Sequence, residues 1–193
     1  MLWGKYDLTM AFMSCSLLNM ATDKYLINDF SAQEIIGIPI TESWNYLRDL
    51  SLAHNYVPGV IDTCVTTEKK EGVGTSRRVY QGKAKYINET VEEWNEGKGF
   101  LIRLHREGDG PPFPFKEAWF RYSIESDDQD FTRLTVNLIY VMRWGKFGKI
   151  LNKLLIGKFI GDRIRSIAKR IKIYYETGER VTPELMKHRK RTN

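Results

Sequence analysis

Residues Thr132 to Trp144 form an alternating run of strand-like residues, and the chain then runs straight into a stretch of helical periodicity, Lys146 to Thr177. On that stretch Ile160, Ile164, Ile167, Ile171 and Tyr174 recur at steps of three and four, while Asp162, Arg165, Lys169 and Lys172 take the opposite face. A continuous apolar stripe means one buried helix face. The stripe needs a broad apolar surface to cover it. The segments between Glu68 and Trp144 read as antiparallel strands, so that surface is a sheet. A long helix laid across a curved sheet leaves a hollow where the two diverge, and function is expected in that hollow.

Upstream, Gln33 to Ile38 reads as a first strand, with Phe30 leading into it. Pro39 ends it, and Thr41 suits the N-cap of a short helix that carries Trp44 and Leu47 on one face. A second short helix is expected over Ser51 to Tyr56, then a turn at Val57-Pro58-Gly59-Val60. Strands follow at Ile61 to Lys69, Thr75 to Gln81, Lys83 to Trp94 and Gly99 to Arg106, with a hairpin signal at Asn95-Glu96-Gly97. Glycines and prolines make Glu107 to Pro114 a loop. Lys116 to Glu125 and Phe131 to Arg143 complete the sheet. Gly178 suits the C′ position of the long helix, and Thr182-Pro183-Glu184 opens a short last one.

With 193 residues the chain favours one domain with a sizeable core. Residues 24–178 are read as that domain, 1–23 as an N-terminal appendage and 179–193 as a basic tail. Met1 to Ala21 has too many polar residues and too poor a cleavage pattern for a clear signal peptide, so a cytoplasmic location is expected; a signal there would instead mean a secreted or periplasmic protein. Met13 and Met20 are alternative start positions. Cys15 and Cys64 form no disulfide framework and read as free thiols. The net charge is +6, and between Lys146 and Lys172 nine Lys or Arg stand against one Asp. A basic face carrying Lys149, Lys153, Arg165, Lys169 and Lys172 is either a solvated surface or a weak, salt-sensitive contact for anionic membranes. Nucleic acid is disfavoured because no recognition motif accompanies the charge.

No phosphate loop, metal-ligand spacing or nucleophile elbow is present, so no cofactor, metal or catalytic residue is assigned. His54, His105 and His188 fall on a helix, a strand and the tail. Aromatic residues are denser: Tyr80, Tyr86, Trp94, Phe100, Trp119, Phe120, Tyr122, Tyr140 and Trp144 lie on successive strands. Arg77 and Arg78 are neighbours on one strand, so one of them points inward and needs an acidic partner, for which Glu89 is the candidate. Arg103 and His105 share one face opposite Ile102 and Leu104, and Arg121 shares one with Trp119 opposite Phe120 and Tyr122.

The ordered motifs resemble a known family. Ile38-Pro39-Ile40-Thr41-Glu42-Ser43-Trp44 with Leu47-Arg48-Asp49, the Val57-Pro58-Gly59-Val60 turn, Gly72-Val73-Gly74-Thr75-Ser76-Arg77, Thr132-Arg133-Leu134-Thr135 and the close at Tyr174-Tyr175-Glu176-Thr177-Gly178 are similar to the START-like SRPBCC superfamily, in its polyketide cyclase/dehydrase and lipid-transport branch. The resemblance spans Phe30 to Gly178. It implies an α+β helix-grip fold: a curved antiparallel sheet wrapped around a long C-terminal helix, with two short helices after the first strand. It implies a ligand cavity but no particular reaction. The expected ligand is a hydrophobic or amphipathic small molecule. Strand alternation opposite the stripe puts Tyr80, Phe100, Ile102, Phe120, Tyr122, Leu138 and Tyr140 on the lining, roofed by Ile160, Ile164, Ile167 and Ile171. A cyclase or dehydratase using pocket Tyr, Arg or His, and a pocketless module acting through its basic helix face, are the alternatives. The protein is read as a monomer or homodimer.

Overall fold

The computed structural model describes residues 27–106, 110–127, 130–152 and 156–192. Seven described strands form one antiparallel sheet: β1 (Ile27–Ile36), β2 (Asp62–Val65), β3 (Ser76–Tyr80), β4 (Tyr86–Asn95), β5 (Gly99–His105), β6 (Phe115–Ser126) and β7 (Thr132–Met142). Their spatial order is β1-β7-β6-β5-β4-β3-β2. After β1 come α1 (Ile40–Arg48) and a 3₁₀ helix (Leu50–Asn55); after β7 come α2 (Gly145–Leu151), α3 (Gly157–Thr177) and α4 (Pro183–Thr192). This is the expected α+β helix-grip arrangement, a curved sheet closed by a long C-terminal helix. The expected long helix is described as two segments, α2 and α3; residues 153–155 between them lie outside the described residues, as do Met1 to Asp23.

The period of two sets which side chains face α3. Along β7, Leu134, Val136, Leu138 and Tyr140 are buried, and their partners on β6 (Ile124, Tyr122, Phe120 and Ala118) share that inner face. Trp119 and Arg121 point the other way; Trp119 joins Leu101 and Val141 in a small cluster on the outer face. The β4 and β6 strands each carry a register irregularity, between Val91 and Glu93 and between Phe115 and Glu117. Such bulges bend the strands and help curl the sheet toward the helix. The β4 bulge leaves two carboxylates for the outer face: Glu92 accepts from Trp119 Nε1 at 2.8 Å and Glu93 pairs with Arg121 at 2.8 Å.

Two local expectations are corrected. The first strand starts at Ile27, because β7 is long enough to keep pairing as far as Ile27↔Val141. Helix α1 is entered from Pro39, not capped by Thr41: the Pro39 carbonyl accepts from Ser43 N at 2.9 Å and no side chain caps the first turn. Ser43 instead donates to Thr132 Oγ1 at 2.9 Å, which donates to the Ile38 carbonyl at 2.8 Å, tying α1 to the start of β7. The hairpin residue Glu96 secures the same helix from the other side. Its carboxylate accepts from the indoles of Trp44 and Trp94 at 3.0 and 2.8 Å and pairs with Arg48.

Helix α3 buries Ile160, Ile164, Ile167, Ile171, Tyr174 and Tyr175. Gly161 lets its backbone approach β1: a Cβ there would stand 3.1 Å from the Phe30 ring. The helix ends at Gly178, whose left-handed φ of 71° turns its N–H onto the Tyr174 carbonyl at 2.7 Å. The Thr182 hydroxyl then accepts from Leu185 N at 3.2 Å and starts α4.

Candidate functional site

The space between the sheet and α3 is filled at one end and hollow at the other. Tyr46, Tyr56, Tyr174 and Tyr175 meet in the filled half: Tyr46 stacks on Tyr175 with ring centroids 5.0 Å apart, and Tyr56 lies 6.0 Å from Tyr174. A second aromatic series runs across the sheet through Trp94, Phe100 and Tyr122, at 5.6 and 5.3 Å. Together these rings make a plug beneath the C-terminal half of α3.

Beside the plug lies a cavity of about 290 Å³. Its helix wall is Phe159, Ile160, Ile164 and Ile167; its sheet wall is Val79, Ile87, Leu104, Phe120 and Leu138. Val57 and Val60 of the turn after the 3₁₀ helix close one side, with Pro112 and Phe115 on another. Three polar side chains reach the lining, Gln81, Glu89 and Arg163. A larger hollow of about 670 Å³ beside α1 is an open polar groove crossed by the Arg48–Glu71 ion pair, and it is not enclosed by the helix.

Of the lining residues expected from the sequence, Phe120, Leu138, Ile160, Ile164 and Ile167 come together on the cavity. Phe100, Tyr122 and Ile171 share the inner face but are sealed in the core at the plug, and Ile102 is fully buried next to Phe120. Tyr140 is buried elsewhere: its hydroxyl donates to Asn152 Oδ1 at 2.7 Å, and Asn152 Nδ2 donates to Asn28 Oδ1 at 3.0 Å. Tyr80 is a correction. It lies half-buried on the outer face against Tyr86, at 5.7 Å, because the neighbouring Arg77 and Val79 take the inner positions. Val79, Ile87 and the Val57–Val60 turn were missed, and Leu104, read on the apolar face of its strand, was not assigned to the lining; the turn and the opposite phase of β3 were the signals for them.

Arg77 is the inward arginine, and Glu89 is its partner as expected. Glu89 Oε2 accepts from Arg77 Nε at 2.7 Å and lies 2.6 Å from Nη2, while Arg77 Nη1 donates to the Leu50 carbonyl at 2.9 Å. Arg77 is 2 % exposed and Glu89 7 %. Burial by itself lowers the guanidinium pKa, but Glu89, with Tyr56 and Tyr122 close by, more than offsets this and raises it. The Tyr122 and Tyr175 phenols are pushed well up, first by burial and then by the neighbouring Tyr56. Arg78 lies on the outer face across from Asn88, and His105 on that face reaches Thr90 Oγ1 at 2.8 Å. Among the described residues no group of three His, Cys, Asp or Glu could hold a metal ion, and no helix is long and apolar enough to cross a membrane.

Several large apolar side chains are exposed, of which Phe159 lines the cavity. Phe159 is 72 % exposed, and Phe147 and Ile150 on α2 are 66 % and 58 % exposed. Phe113, in the loop that also supplies Pro112, packs edge-on against exposed Trp144 at 5.7 Å. Of the basic face read from the sequence, Lys153 and the side chain of Lys149 lie outside the described residues. Arg165 is paired with Asp162 at 2.7 Å and Lys172 with Glu176 at 2.5 Å, and Lys169 is exposed.

A curved antiparallel sheet gripping a C-terminal helix over an apolar hollow defines a START-like helix-grip domain of the SRPBCC superfamily. Residues 29–176 match the family model described as polyketide cyclase / dehydrase and lipid transport, and the chain belongs to that family. Solved structures with a similar fold include Ara h 8.0201, at TM-score 0.55 and 14 % identity, covering 77 % of this chain and 97 % of that one. TTHA0849 from Thermus thermophilus is similar at TM-score 0.58 and 19 % identity, over 77 % of this chain and 97 % of its own. A protein from Thermobifida fusca solved by NMR is similar at TM-score 0.59 and 15 % identity, over 76 % and 92 %. No curated protein matches the chain.

Proposed function

We propose that the domain binds a lipid- or polyketide-like molecule in the cavity between sheet and α3, with Phe120, Leu138, Ile160, Ile164 and Ile167 among its contacts. The observation that carries this reading is the cavity itself, lined mainly by apolar side chains on both the helix and the sheet wall, with exposed Phe159 among them. Family membership supports it. The driving force is burial: each CH₂ removed from water contributes about 0.8 kcal/mol. A ten-carbon chain would gain about 8 kcal/mol, or micromolar affinity before the cost of association is subtracted. Exposed Phe159, with exposed Phe147 and Trp144 and the lysines near them in sequence, suits loading at an anionic membrane, where Trp and Phe enter the interface and Lys meets the headgroups.

Native mass spectrometry of the freshly purified chain tests the reading. The expected spectrum shows a non-covalent adduct of lipid mass, lost when Leu138→Trp fills the cavity. A folded wild-type protein that neither co-purifies with a ligand nor retains one from a lipid extract would overturn it.

A cyclase or dehydratase is the second reading, and Glu89 is the observation in its favour, a carboxylate on the cavity wall. Acid–base work needs such a group within hydrogen-bond reach of the reacting proton. Glu89 already holds Arg77 with one oxygen, which limits it to structural work unless a substrate displaces that contact. Cyclisation of a poly-β-ketone thioester by the purified chain, abolished in Glu89→Gln with ligand retention unchanged, would favour the enzyme.

A further inference from the structure

The Val57–Val60 turn that closes one side of the cavity also walls a separate crevice of about 340 Å³. Its other walls are His54, Arg170 of α3 and the segment from Arg180 to Glu184 that leads into α4. Three guanidinium groups converge on this turn and segment, each held only by backbone carbonyls. Arg163 donates to Pro58, Arg170 Nη1 donates to Val181 at 2.7 Å, and Arg180 Nη2 donates to Val60 and Ile61 at 3.4 and 3.2 Å. Among the described residues none of the three forms an ion pair. Arg170 is 9 % exposed, and its Nε has no hydrogen-bond partner among the described residues.

A carbonyl dipole satisfies an N–H but leaves the net charge of a guanidinium uncompensated, and burial makes that costly. Of the three only Arg170 is buried, Arg163 and Arg180 being exposed; burial lowers the Arg170 pKa, and repulsion from Arg163 adds to the effect. The carboxylate on the crevice wall does not relieve them: Glu184 is held by its own backbone N–H and by Thr182, with Lys187 beside it. Two or more guanidinium forks around a crevice wider than one carboxylate suit a multiply charged tetrahedral oxyanion, which accepts several charge-assisted hydrogen bonds at once.

We propose that this crevice binds a phosphate-type oxyanion, either free phosphate or the phosphomonoester head of an amphipathic molecule, through Arg170 and Arg180. The site is independent of what fills the neighbouring cavity. Isothermal titration of the full chain with sodium phosphate, against sodium chloride at equal ionic strength, reads it directly. A second arm uses dihexanoyl phosphatidic acid, with dihexanoyl phosphatidylcholine as its control. The expected result is saturable binding of phosphate that weakens at least about tenfold in Arg180→Gln and in Arg170→Gln, the loss of one charge-assisted contact. Arg180 is exposed, so its variant keeps the test valid if Arg170→Gln fails to fold. Tighter binding of the phosphatidate than of phosphate assigns the anion to a lipid head; equal binding assigns it to free phosphate. No saturable heat with either anion, or binding unchanged in both variants, overturns the site. So does equal uptake of phosphatidylcholine unaffected by either substitution, which would be cavity binding alone.

Discussion

Arg77 and Glu89 face each other on neighbouring strands with almost no water around them. Deleting one member strands the other. Glu89→Leu leaves a buried guanidinium with only neutral partners, the Leu50 carbonyl and the Tyr56 and Tyr122 hydroxyls, and it is expected to cost about 3–5 kcal/mol, read as a lower urea midpoint. Arg77→Met combined with Glu89→Leu is expected to cost much less, because neither charge is then left alone. An unchanged midpoint in Glu89→Leu would show that the pair is hydrated. The tyrosines around it set an alkaline limit. Tyr122 and Tyr175 have folded pKa values raised well above the ordinary 10, chiefly by burial. The unfolded chain therefore releases these protons first as pH rises. Their contribution is fully present below about pH 10 and is lost above it, by about 1.4 kcal/mol per pH unit for each tyrosine. Tyr122→Phe with Tyr175→Phe should flatten the alkaline limb of a stability–pH curve; an identical limb would place these phenols in solvent.

Helix α3 is where the stripe pattern carries most. Ile167 is 2 % exposed between Ile164 and Ile171 and lines the cavity. Ile167→Asp puts an unpaired carboxylate into that layer, and a loss of several kcal/mol is expected, enough to unfold the domain or empty the cavity. An unchanged melting temperature with unchanged ligand retention would rule out burial of the stripe. The stripe, the succession of strands along the chain and the strand-free stretch at Gly110 to Pro114 were all legible because helical and strand periods differ and proline cannot join a ladder, while residues 107–109 of the expected loop lie outside the described residues. Tyr80 was not. On β3 either phase offers one arginine and one β-forming apolar residue, Arg77 with Val79 or Arg78 with Tyr80, and the choice rests on Glu89 across the ladder. The plug was also hidden: it joins Tyr46 and Tyr56 to residues more than a hundred positions later. The Asn28–Asn152–Tyr140 chain is a contact of the same long-range kind. Burial of Arg170 was not legible either, since it depends on the backbone at Val181.

For the molecule as a whole, exposed Phe147 and Ile150 on α2, with exposed Phe159 on the cavity lining, predict a membrane-facing side. Basic residues near an anionic surface contribute about 1 kcal/mol each, and screening weakens them above physiological salt. In liposome co-sedimentation at low salt, phosphatidylserine vesicles should retain the chain better than phosphatidylcholine vesicles. Phe147→Ser with Phe159→Ser should reduce that retention severalfold. Equal binding to both lipids, or none to either, would leave the basic face with a solubility role only. The pairing of β1 with β7 has a consequence of a different kind. Ile36 finds Thr132 only after the intervening chain exists. At synthesis rates of about 5–20 residues per second, the first strand waits roughly 5 to 20 s on the ribosome for its neighbour. Throughout that interval β1 lacks its ladder partner, and closing the sheet carries the slow kinetics of distant strand pairing.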